Sequence, residues 1–72
     1  LMQVFRQHNE DDISLVDGVP YRAMTCTDLD AKGRPYDRLF YFDAEKPFPA
    51  IAAGETVRVV HHELDVSDVV RV

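Results

Sequence analysis

At 72 residues, with 46% hydrophobic and 29% charged side chains, the chain amounts to one domain and carries too much apolar character for intrinsic disorder. Eight Lys and Arg face thirteen Asp and Glu, a formal net charge of −5 that repels phosphate backbones and sets a nucleic-acid-binding reading at a disadvantage. Cys26 is the single cysteine, which excludes an intramolecular disulfide, and no apolar run approaches the roughly 18 residues of a membrane span.

These points imply one domain over residues 1–72, no membrane partner, and a reducing, cytoplasmic setting. Leu1 precedes Met2, the expected natural start, and is given no functional weight.

Residues 2–6 alternate loosely and form a first strand with Val4 or Phe5 inward, followed by a polar loop at residues 8–12. Residues 13–16 alternate again, turn at Asp17-Gly18, and return as a strand over residues 19–27. Asp-Gly tolerates the positive φ angles of a type I′ turn, so this hairpin is the firmest local feature of the sequence. Pro20 has no N–H to give to a ladder and belongs at a strand start or a sheet edge.

A polar reversal over residues 28–35 leads into a strand at residues 36–42, whose run Leu39-Phe40-Tyr41-Phe42 marks it as the central one. Pro47 and Pro49 forbid a stable helix within residues 43–54, which reads as an extended crossing in which Phe48 and Ile51 plug the end of the core. A further strand spans residues 56–64, a tight turn falls at residues 65–68, and residues 69–72 close the chain as a short last strand.

Five to six short antiparallel strands with polar reversals give an all-β fold, a small SH3-like barrel. An OB-like barrel or another small curled sheet is the alternative.

Catalytic and metal-binding patterns are thin. Asp28-x-Asp30-x-Lys32-Gly33 resembles the first half of an EF-hand loop, but Lys32 stands where an oxygen ligand is needed and Leu39 where the bidentate glutamate belongs. His61 and His62 point to opposite faces of a strand, so only His61 with Glu63 could share a metal, too few ligands for a zinc site. Ser14 and Ser67 lack a glycine-flanked elbow, and Cys26 alternates with Met24 as an apolar filler would. The three glycines lie apart, so no phosphate-cradling loop exists. The sequence therefore predicts no enzyme, no cofactor and no metal.

The surface offers more. Acidic groups at Glu10, Asp11 and Asp12 and at Asp28 and Asp30 fall in loops, and tyrosine and arginine are enriched in interface hot spots, which singles out Tyr36, Arg38 and Tyr41. These eight residues are the expected partner-binding set. The reading they support is a non-enzymatic protein–protein interaction module, acting by surface binding or self-association, with a protein partner of basic surface and no direct nucleic acid. Two alternatives stand beside it: a small acidic inhibitor of phage or plasmid type that mimics nucleic acid to block a host enzyme or defence complex, and a structural component of a larger assembly.

Overall fold

A computed structural model describes residues 2–72, so Leu1 and the reading given to it lie outside the described residues. The chain forms five strands, β1 (Met2–Val16), β2 (Val19–Leu29), β3 (Pro35–Asp43), β4 (Thr56–His62) and β5 (Asp65–Arg71). They close into a barrel in the order β1-β2-β3-β5-β4, with β4 returning to β1. The protein is an all-β closed five-stranded barrel of the small SH3-like/OB-like kind.

The seams β1–β2, β2–β3, β4–β5 and β1–β4 are antiparallel, whereas β3 and β5 run parallel through Tyr41 opposite Asp65 and Phe42 opposite Val66. A parallel seam needs a crossover connection. Here residues 44–55 carry the chain from the end of β3 past β5 to β4.

Period-two burial builds the interior. Phe5 comes from β1, Met24 and Cys26 from β2, Phe40 and Phe42 from β3, Val57 and Val59 from β4, and Val66 and Val69 from β5. The spacing of three on β5 has a cause: the β4–β5 register shifts between Val60 and His61, leaving Ser67 as the extra residue, and both valines then face inward. The Ser67 hydroxyl donates to the Val60 carbonyl at 3.1 Å and holds that irregularity in place. Gln3 is buried among these apolar groups and accepts a hydrogen bond from the Val59 amide at 3.3 Å through its side-chain oxygen. As expected, Phe48 and Ile51 from the crossing pack against the core and close its end.

The Asp17-Gly18 turn has φ values of 52° and 79°, the double positive φ of a type I′ hairpin, as the sequence predicts. Three boundaries differ from the sequence reading. Residues 8–12 are not a free loop, because β1 runs on to Val16 and absorbs them as a bulge between the pairs His8–Met24 and Ile13–Arg22. Asn9 organises that bulge, donating to Asp12 at 2.9 Å and accepting the Asp11 amide at 3.3 Å.

The last turn lies at Glu63-Leu64 and not at residues 65–68; β4 accordingly ends at His62, and the final strand begins at Asp65. Glu63 takes the left-handed conformation, φ 53°, which lets two residues reverse the chain and frees Asp65 to pair with His62. Finally, Asp28 and Leu29 belong to β2, paired with Tyr36 and Pro35, so the reversal that follows is shorter than the sequence suggests. Asp30 closes it by accepting the amides of Lys32 and Arg34, each at 2.9 Å.

Candidate binding surface

The outer face of β1, β2 and β3 is shaped by a bulge. Phe5 pairs with Cys26 and Gln7 with Thr25, so Arg6 is the extra residue, and a bulge of this kind brings two successive side chains to one face. Arg6 and Gln7 accordingly stand over a floor formed by Thr25 and Thr27, with Pro35, Tyr36 and Asp37 of β3 opposite, around an open depression of about 610 Å³. Its polar groups are tied together: Arg6 Nε donates to Thr27 Oγ1 at 2.7 Å, and the Thr27 hydroxyl donates to Asp37 Oδ1 at 3.1 Å.

The same face continues along β2 and β3 to Ala23, Tyr21, Leu39 and Tyr41, which alternate with the core residues. The rings of Tyr21 and Tyr41 lie 6.4 Å apart, tilted by 56°. Partial desolvation pushes the Tyr21 phenol above its ordinary range, and the carboxylates of Asp65, Asp43 and Asp17 add to the shift. Three acids from the start of β5, the end of β3 and the hairpin turn thus bear on one tyrosine. Nothing in the linear sequence shows that convergence, because it depends on which strands are neighbours.

Beyond this face the β1–β2 hairpin runs past the barrel. The last β2–β3 pair is Tyr21 with Asp43, so Val19 and Pro20 lie past the end of β3 in a two-stranded arm, and the molecule measures 37 × 24 × 19 Å. On the other side, β4 pairs with β1 only through Met2, Gln3 and Val4, followed by the Phe5 amide donating to the Glu55 carbonyl and the Gly54 amide to the Phe5 carbonyl. Among the described residues, the outer edge of β1 beyond Phe5 has no partner strand. The arm leaves Leu15 72% exposed, with Val16 and Val19 also open to solvent, and Ile13 at its base, opposite Arg22, is 54% exposed.

The eight residues singled out from sequence are dispersed. Tyr36 is exposed and lines the depression, and Tyr41 sits half-buried beside Tyr21 further along β3. Arg38 lies in the other row from Tyr41, the row that also holds Tyr36, its guanidinium 4.7 Å from the Phe40 ring centroid and 3.4 Å from Asp28. Asp28 also accepts the Leu29 amide at 2.8 Å, and Asp30 pairs with Arg34 at 3.4 Å, so both carboxylates serve the β2–β3 reversal. Glu10, Asp11 and Asp12 are exposed in the β1 bulge, separated from Asp28 and Asp30 by the stretch of β2 from Met24 to Thr27.

The groups considered for chemistry are placed as follows. His61 packs its ring 4.9 Å from Phe40 and pairs Nδ1 with the Glu63 carbonyl at 2.7 Å, while His62 is exposed. Among the described residues no three His, Cys, Asp or Glu side chains gather as metal ligands would. Cys26 is a buried free thiol, its pKa pushed up to about 11 by desolvation, with the Asp28 charge adding to it. No helix among the described residues is long and apolar enough to cross a membrane. Comparison with family models, with curated proteins and with solved structures finds no match to the chain.

Proposed function

We propose that the protein is a non-enzymatic interaction module that works by surface binding, in the first place to a second copy of itself, in a reducing cytoplasm. The observation that carries this reading is the β1–β2 arm and its base, where Ile13, Leu15, Val16 and Val19 stand exposed next to the unpaired outer edge of β1. Exposed aliphatics grouped on one element mark interaction surfaces, and an open strand edge is a template for pairing with another chain. A chain of this size supplies a small core, and association stabilises such a fold by mass action.

Sedimentation of the wild type and of the Leu15→Ser/Val16→Thr variant, from about ten micromolar to one millimolar, tests the reading across the range of weak specific association. The expected result is a mass that rises with concentration in the wild type and stays monomeric in the variant, whose melting matches that of the wild type at dilutions where both are monomeric. A wild type that remains monomeric throughout overturns the self-association reading.

One observation favours a second reading. The strand order with a parallel β3–β5 seam is that of a five-stranded Greek-key barrel, and OB barrels of that type bind oligonucleotides across the face of strands 2 and 3. Here that face carries Tyr21 and Tyr41, and Arg6 and Tyr36 line the depression towards its other end, groups on which unpaired bases can stack. The acids around Tyr21 and the net charge of −5 oppose it. Titration of a labelled oligothymidylate at low and high salt discriminates the two: saturable binding that weakens with salt and is lost in Tyr41→Ala supports the second reading. The inhibitor reading has less support, because Asp28 and Asp30 are engaged by Arg38, Arg34 and backbone amides, and are set apart from Glu10, Asp11 and Asp12.

A further inference from the structure

His8 sits where the aromatic end of the core meets the crossing. Its ring stacks on Phe48 at 4.0 Å and 9° and meets Phe42 edge-on at 6.1 Å. Phe48 in turn contacts Phe5 at 5.4 Å and Phe42 at 5.1 Å, so the hold of the crossing on the barrel passes through this cluster. Both ring nitrogens of His8 are shut away from solvent and, among the described residues, have no hydrogen-bond partner. Orphaned buried nitrogens are uncommon because each loses its bonds to water on folding. A neutral imidazole accepts that place as an aromatic plane, whereas an imidazolium would present two donors with nothing to receive them.

The charged neighbours strengthen the contrast. From β1, Glu10 favours the protonated ring; from β2, Arg22 opposes it; β3 and the crossing offer only the uncharged rings of Phe42 and Phe48. Desolvation outweighs Glu10 and holds His8 below its ordinary range. Arg22 is committed, its Nε donating to the Glu10 carbonyl at 2.9 Å and its Nη1 to the Ala44 carbonyl at 3.1 Å. The same guanidinium therefore clips the β1 bulge to the start of the crossing, and a proton on His8 places a second cation beside it.

We infer that His8 is a proton-operated latch: uncharged, it holds residues 44–54 on the end of the barrel, and protonated, it leaves the Phe48 stack and lets that segment open. The sign follows from linkage. A histidine held below its unfolded value of 6.5 contributes its full stabilisation above that pH and loses it as pH falls from there towards the folded value.

Ring chemical shifts of His8, read together with amide protection over residues 44–54 between pH 7.5 and pH 5, test the latch. The expected result is that His8 titrates below 6.5 and that protection falls in step, about tenfold for each unit by which the folded value lies under the unfolded one. His8→Phe keeps a stacking ring without a proton, and its protection stays flat over the same range. A wild-type His8 that titrates at or above 6.5, or protection that does not change while it titrates, overturns the latch even if the variant fails to fold. A pH response that persists in a folded His8→Phe overturns it as well.

Discussion

The barrel and the arm are built from the same strands and the same residue types, yet they bury them differently. In the barrel each strand has a neighbour on both sides, and Met24, Cys26, Phe40 and Val57 are wholly enclosed. In the arm, β1 and β2 have no third strand past the end of β3, and Leu15, with Ile13 at the arm's base, stays open although both alternate with polar residues as core positions do. Alternation therefore specifies a strand and a face. What that face meets is decided by closure, a property of the whole chain.

The sharpest way to break this contrast is to truncate one side chain in each region. Phe40→Ala empties the centre of the barrel and is expected to cost about 3–5 kcal/mol, enough to unfold a domain of this size, whereas Leu15→Ala stays within about 0.5 kcal/mol. Denaturant unfolding of the two variants checks both; similar losses would show that the arm belongs to the cooperative core.

The next effect concerns the arm alone. Gly18→Val forces a β-branched residue into a φ of 79° and is expected to cost about 1–2 kcal/mol in hairpin closure. Among the described residues nothing lies within contact of the added Cβ, so the penalty is one of backbone conformation. Amide exchange should quicken over residues 13–22 while the barrel retains its protection, and it should quicken less when Ala31 and Lys32, in the looser reversal, are both changed to valine.

The smallest effect is set by acid. Glu55 accepts the Ala52 amide and pairs with Arg71 at 2.9 Å, and the guanidinium also donates to the Ala50 carbonyl, fastening the far end of the crossing. The Ala52 hydrogen bond, followed by those from Arg71, holds the Glu55 carboxyl below its ordinary range. Its contribution is complete above the unfolded value of 4.5 and is lost as pH falls through the lower folded one. Melting temperatures measured from pH 6 to pH 3 should decline more shallowly in Glu55→Gln than in the wild type. This loss begins below 4.5 and that of His8 below 6.5, so the two holds on the crossing start to weaken at different pH.

Much of the barrel was legible because its signals are local. Asp17-Gly18 encodes its turn, Pro47 and Pro49 bar a helix, and Phe48 and Ile51 read as a plug because they are the large apolar residues of an extended crossing. The parallel β3–β5 seam was not legible, since no residue in either strand announces its neighbour. Bulges account for most of the remainder. One turns Arg6 and Gln7 to a common face, and another folds residues 9–12 into β1, leaving His8 in the row of Met24 where a polar loop was expected. The surface suffered most, because the grouping of Asp17, Asp43 and Asp65 around Tyr21 exists only once the strand order is known.

The thiol of Cys26 turns the interior into its own reporter. Wholly enclosed and held protonated at neutral pH, it offers an alkylating reagent neither access nor a thiolate while the barrel is closed. Modification must then wait for an opening large enough to expose β2, and its rate at saturating reagent becomes a clock for that event. A single native cysteine thus allows the lifetime of the closed barrel to be timed without attaching a probe.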